Sequence, residues 1–423
     1  MKQTISGTGA KDYAITVLHY VIAAAIILNQ HTIWRYLEST SSFMDTVIML
    51  ALVISIALCM ALKGAFRFSG KVSGGFAAVF AVMMYLAVFT ILNPFYRYYF
   101  IEFAIGVFAV GIYYFTCNKN AFPEILKAYT GIIAVIAGIS LIMWLLCSIL
   151  KVIPPTGTVL TGWNPSSEYL EINTYLGIYF EPQEFYLFKD VFFRNSACFA
   201  EAPMASLAFT LGLMMELFLP ERTGRIKTII LYLAVISTCS ATGIILGTAA
   251  IVLKLGISRF IPAVRRIQEK GKKRAVTVII IFSIAAVGAV LVYILAFKLD
   301  TWSGSIRIDD YKVGIKTWLD APLIGHGYAN DYSLMEHMGT WRKGNYGFSN
   351  SITQLLAHGG IFLGALYLAA FISGIVRSIK RKQWLQLCFA VLILVLFCTA
   401  IWTYTFIIVV LLYYFAFDRD KYY

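Results

Sequence analysis

"KLGISRFIPAVRRIQEKGKKR", residues Lys254–Arg274, gathers eight Lys and Arg into 21 positions between two apolar runs. Which side of a membrane this stretch occupies decides the fold. The apolar segment before it, 228–256, reads either as one long helix or as two short ones meeting at "STCSATG" (Ser237–Gly243). One helix would carry the basic stretch to the outer side, against the rule that short cytoplasmic loops hold the excess of Lys and Arg. Two helices return it to the inner side. The same rule reads 384–417 as two helices turning at "IWTYT" (Ile401–Thr405).

Working outward, the rest of the chain has the composition of a membrane protein. Of its 423 residues, 60% are hydrophobic and only 13% charged, and the mean hydropathy is +0.76; soluble domains carry about 25% charged residues. Apolar runs approaching the roughly 20 residues of a membrane span recur at approximately 13–30, 43–62, 73–93, 98–116, 125–150, 198–219, 228–239, 242–256, 276–297, 350–375, 384–400 and 403–417. Twelve spans with an inner N-terminus leave 24 of the 35 Lys and Arg on inner segments and 11 on the outer ones, although the outer segments are longer. The expected fold class is therefore an all-α polytopic membrane protein with about 12 transmembrane helices, forming a single membrane domain over 1–423. The net charge of +13 sits in short loops between spans, where it orients the chain and meets anionic headgroups; no nucleic-acid partner is expected. The seven cysteines lie in or beside apolar runs without CxxC or CxxxH spacing, so they read as small core residues. "MKQTISGTGAKDY" leads into an apolar run with no small-residue cleavage site behind it, which reads as a retained span.

Two expected outer loops are long, Lys151–Ala197 and Lys298–Ser349, and long loops on a rigid scaffold commonly carry function. The aromatics of "YLGIYFEPQEFYLF" in the first read as an interfacial belt, or as flat apolar platforms for sugar faces. Arg194 follows in "KDVFFRNSACFAEAP", which places Glu201 and Pro203 inside the next apolar run. A carboxylate there needs a cavity or a partner, so Glu201 either pairs with Arg194 or faces a site. The second loop reads "SGSIRIDDYKVGIKTWLDAPLIGHGYAND". Arg307 precedes a helical pattern (Ile308, Tyr311, Ile315, Trp318, Leu319) that Pro322 ends. Gly325 and Gly327 then permit a tight turn around His326 and Tyr328. Ser349 and Asn350 stand at a helix N-cap opening the 350–375 run.

An arginine, then "P-L-x-G-x-G", then a polar-Asn pair with a glycine ten residues on (Asn350 to Gly360), resembles the C-terminal signature of the O-antigen ligase and O-antigen polymerase (Wzy-type) superfamily. "FFRNSACFAEAP" is similar to that family's arginine segment, and "STCSATG" to its short re-entrant pair. The resemblance covers about 190–375. It implies a metal-independent glycosyltransferase of a bacterial inner membrane with the active side extracytoplasmic; the charge distribution over twelve spans puts both termini on the cytoplasmic side. Donor and acceptor would be polyprenyl-diphosphate-linked oligosaccharides, the partners a chain-length regulator and a flippase, and no cofactor is implied. A diphosphate leaving group suits arginine, whose planar fork matches phosphate oxygens at two points, so Arg194 and Arg307 are candidate catalytic residues, with His326 as a candidate base or a turn histidine bonded to backbone. Glu201, Tyr328, Ser349 and Asn350 are candidate substrate-binding residues. The sequence departs from the ligase pattern at Ser349, where ligases carry a histidine, and at Ala241, where the re-entrant motif carries an arginine. Both departures favour a polymerase of lipid-linked repeat units over a ligase. A transporter, the alternative from another class, would gather polar groups at the midplane rather than in two outer loops.

Overall fold

Helices occupy every apolar run that falls within the part of the chain described by the structure, a computed structural model. That part is residues 6–64, 97–116, 121–163, 169–187, 190–219, 223–260, 302–342 and 344–417, with scattered positions between 77 and 87. Most of the run 73–93, the whole of 276–297 and the basic residues 261–274 lie outside the described residues. The α-helices of more than one or two turns are α1 (Ser6–Asn29), α2 (Ser41–Lys63), α3 (Arg97–Thr116), α4 (Ala121–Met143), α5 (Ala202–Phe218), α6 (Arg225–Ser237), α7 (Ala241–Leu255), α8 (Trp302–Asp320), α9 (Ser351–Lys380), α10 (Trp384–Thr399) and α11 (Phe406–Phe417). Among the described residues, five helical stretches are long and apolar enough to cross a membrane: Gly9–Asn29, Ser41–Lys63, Phe122–Ile149, Ala241–Arg259 and Ser351–Lys380. The apolar stretches Phe100–Thr116 of α3, α5, α10 and α11 are shorter.

α5 is the centre of the bundle. Every residue from Met204 to Phe218 is buried, as expected of a helix that is apolar all round, and α4, α6, α7 and α10 pack against it. The 228–256 segment is two helices. α6 has 13 residues, about 20 Å at 1.5 Å per residue, which falls short of a hydrocarbon core of about 30 Å. Its chain turns at Thr238–Ser240, where Cys239 takes a φ of 51°, and re-enters as α7. α7 approaches α5 so closely at Gly243 that a Cβ there would lie 2.0 Å from the Ser206 hydroxyl. Small residues at a helix contact give this proximity.

The all-α expectation fails between 157 and 193. Here the first long loop folds into a β cap: an antiparallel sheet of β1 (Gly157–Thr161), β2 (Leu170–Tyr175) and β3 (Tyr179–Glu181), and a hairpin of β4 (Glu184–Leu187) and β5 (Asp190–Phe193). The reason lies in aromatic and β-branched residues between turn formers. β2 and β3 pair Tyr175 with Tyr179 across a turn in which Leu176 and Gly177 both have positive φ, 54° and 67°. That geometry matches strand twist. The cap has its own polar centre, where buried Glu181 accepts from Ser148 (2.7 Å), Asn173 (3.0 Å) and Tyr175 (3.0 Å).

α9 is broken in the middle. Gly360 has φ 61° and ψ −167°, and the turn after α8 fits into the gap. Ile361 N–H donates to the Pro322 carbonyl (2.8 Å), while the amides of His326 and Gly327 donate to the carbonyls of Ala357 and His358 (both 2.9 Å). Backbone groups freed by a helix break must find partners in an apolar surrounding, and the turn Pro322–Gly327 supplies them. α8 itself leaves Ile308, Ile315 and Leu319 exposed among the described residues and buries Asp310, Gly314 and Thr317.

Candidate functional site

A cavity of about 320 Å³ opens where the β cap, the starts of α5 and α7, the first half of α8 and the α10–α11 connection meet. Arg194, Glu201, Arg307 and Ser349 all line it, although they are up to 155 positions apart in the chain. Arg194 leaves the cap on a strand end fixed by its amide bond to the Gln183 carbonyl (3.0 Å). Its Nε donates to the Thr238 carbonyl (2.8 Å) and its Nη1 to Gln183 Oε1 (3.0 Å). Thr238 caps the C-terminus of α6, the negative end of that helix dipole, which favours a cation. Arg307 reaches in from α8, its Nη1 donating to Thr242 Oγ1 (3.0 Å) and the Thr399 carbonyl (3.3 Å).

Neither guanidinium forms an ion pair among the described residues; their partners are neutral oxygens. Of the two alternatives left open for Glu201, the arrangement is the cavity-facing one. Glu201 caps the start of α5 beside Trp163, within electrostatic range of both arginines but paired with neither. Burial lowers the pKa of Arg194, with the like charge of Arg307 adding to it and Cys239 and Glu201 opposing it. The two part-buried guanidiniums are balanced only through space, Arg194 by Glu201 and Arg307 by Asp310 and Glu201, so donors remain that an anion in the cavity can take.

Backbone adds to this. Ser240 is the N-cap of α7 but makes no side-chain cap bond, and the first bond into the helix is Ile244 N–H to the Ser240 carbonyl. The start of α7 borders the cavity, where Ser240, Thr242 and Gly243 are part of the lining. A helix N-terminus with free N–H groups binds anions. Beneath it, the Ser206 and Thr210 hydroxyls are buried in the same cavity without a hydrogen-bond partner among the described residues.

Other sequence candidates lie elsewhere. His326 is not in the cavity: its Nε2 donates to the Thr317 carbonyl (2.9 Å) and its backbone fills the α9 break. The turn reading of this histidine is the one the geometry fits. Tyr328 is buried among Phe100, Phe103 and Tyr404. Asn350 caps α9 through Thr353 N–H (3.0 Å), as its position suggested, and does not line the cavity. His326→Gln is expected to leave turnover within a few-fold of the parent in a purified assay; a loss of about 100-fold or more would return it to the chemistry. Residues that sequence reasoning missed are Asp310, Ser206, Thr210 and Gln183 in the lining, and Arg342, which holds Asp309 and Asp310 from a loop without pattern. The one available signal was the "DD" a turn after Arg307.

Compared with protein-family models, with curated proteins and with solved structures, the chain matches none.

Proposed function

We propose that this chain is a membrane glycosyltransferase that elongates a glycan carried on a polyprenyl diphosphate, the anion cavity being the seat of the diphosphate. One observation carries the reading: two part-buried arginines that form no ion pair among the described residues converge with the start of α7 on a single cavity. In the reaction an acceptor sugar hydroxyl attacks the anomeric carbon of the donor, and the bond from that carbon to the diphosphate breaks. Negative charge grows on the departing diphosphate. Fixed donors aimed at that charge stabilise the transition state more than the ground state.

The polymerase reading is preferred over the ligase reading because no histidine lines the cavity among the described residues; Ser349 stands where the ligase pattern has one. The charge distribution supports a twelve-span chain with both termini cytoplasmic in a bacterial inner membrane. The cavity and the β cap are then extracytoplasmic, where lipid-linked repeat units would be assembled, with a flippase and a chain-length regulator as partners. The test is binding by the purified protein in lipid nanodiscs. A polyprenyl-diphosphate-linked oligosaccharide should raise its melting temperature, and inorganic pyrophosphate should compete. If the free oligosaccharide without diphosphate stabilised it equally, the anion-seat reading would fail.

A further inference from the structure

Asp310 has no exposed surface, yet only one of its carboxylate oxygens is engaged. Oδ1 receives Arg342 Nη2. Arg342, itself buried, is held further by Asp309 (2.7 Å) and by the carbonyls of Gly347 (3.2 Å) and Ile306 (3.3 Å). Oδ2 has no hydrogen bond of ordinary geometry among the described residues, although the Ser349 hydroxyl lies close enough to the carboxylate to donate to it. Buried polar atoms are nearly always satisfied, so an open carboxylate oxygen calls for an explanation. Asp310 sits one helical turn after Arg307 and lines the same cavity, with Ser349 beside it.

Resting on the diphosphate-donor reading, we propose that Asp310 is the general base of the transfer, its open Oδ2 taking the proton from the attacking acceptor hydroxyl. The O–H bond of the acceptor breaks and its proton passes to Oδ2. The acceptor oxygen bonds to the anomeric carbon. The bond from that carbon to the diphosphate oxygen breaks, and its electron pair leaves with the diphosphate. Asp310 then returns the proton to the departing diphosphate or to water. Arg342 is a positioning residue: by occupying Oδ1 and anchoring on Asp309 it fixes which oxygen stays open. Burial raises the Asp310 pKa, against the opposing pull of Ser349, Arg342 and Arg307, which makes the carboxylate a stronger proton acceptor than an exposed one. The charged and titratable groups around it are Arg307, Asp309 and Tyr311 on α8, Arg342 from the following loop, and Glu201 and Arg194 across the cavity. Glu201 is the competing base.

The experiment compares turnover of a lipid-linked oligosaccharide by the wild type, Asp310→Asn, Asp310→Glu and Glu201→Gln across pH. Only the ionised carboxylate accepts a proton, so wild-type kcat should fall on acidification. Asp310→Asn should lose about 100-fold or more in kcat while its KM for donor stays within a few-fold, and its residual activity should lack the acidic limb. Asp310→Glu should retain a limb at a displaced pH, and Glu201→Gln should retain it unmoved. Near-parent turnover in Asp310→Asn, or a limb that vanishes in Glu201→Gln and persists in Asp310→Asn, overturns the assignment. Should Asp310→Asn fail to fold, an unmoved limb in Asp310→Glu overturns it equally. A wild type that releases no polyprenyl diphosphate overturns the donor reading and this proposal with it, whereas an active wild type with an active Asp310→Asn overturns this proposal alone.

Discussion

On the proposed function, Arg307→Lys and Arg194→Lys are each expected to lower turnover of the lipid-linked donor by about 100-fold or more, roughly 3 kcal/mol in the barrier, with membrane levels of the protein close to normal. Lysine keeps the charge but presents a compact ammonium in place of a planar fork. In the wild type, Arg194 spends Nε on the Thr238 carbonyl and Nη1 on Gln183, and the remaining edge of the fork is left for the ligand. Lysine cannot hold the backbone and the diphosphate in the same geometry. Arg307 is in the same position, with Nη1 bridging Thr242 and the Thr399 carbonyl. The effect should appear in kcat more than in KM, because the leaving group carries more charge in the transition state than in the bound substrate. Full turnover in both lysine variants would remove the diphosphate role.

Gly360→Val has an effect of another kind, on folding. A Cβ on Gly360 would lie 2.2 Å from the Leu323 carbonyl oxygen, and its φ of 61° is one that β-branched residues avoid. Gly325 faces it with the same problem: its Cβ would lie 2.4 Å from the His358 carbonyl, at φ 68°. Overpacking and backbone strain each cost about 1–3 kcal/mol, so the turn Pro322–Gly327 would be expelled from the α9 break. The freed backbone groups of Ala357, His358, Ile361 and Phe362 would then lack partners. Such a loss is large against a typical stability of about 5–15 kcal/mol. Detergent-extracted Gly360→Val should run as aggregate on size exclusion, whereas Leu366→Val, a change on an exposed face of the same helix, should run as the parent does. A monodisperse Gly360→Val with parental melting temperature would show that the inserted turn does not hold the break.

Much of the helical framework was legible because charge and apolar runs are local signals. The division of 228–256 at Ser237–Gly243 follows from where eight positive charges can lie, and it is where α6 ends and α7 begins. Glu201, close after Arg194, was legible as a carboxylate inside an apolar run, an expensive placement that calls for a reason, while Arg307 and Ser349 were singled out by the resemblance and, for Ser349, by its N-cap position. What escaped was tertiary. β1 to β5 are three to six residues long, too short for alternation to stand out from an aromatic belt. The break in α9 falls within a continuous apolar run, and only the φ of Gly360 with its approach to Leu323 reveals it. Asp310 stands outside the apolar pattern Ile308, Tyr311, Ile315, Trp318 and Leu319, yet α8 buries it and leaves Ile308, Ile315 and Leu319 exposed. His326 drew attention by its glycines; those glycines serve the packing of backbone against backbone.

The most direct measurement is product release by the purified wild type in proteoliposomes given a polyprenyl-diphosphate-linked oligosaccharide and no nucleotide or metal. The account predicts free polyprenyl diphosphate appearing in step with glycans lengthened by whole repeat units, and loss of both products in Arg307→Lys. Glycan crossing the bilayer with its diphosphate linkage intact, or a folded wild type that binds the donor and releases no polyprenyl diphosphate, would contradict it.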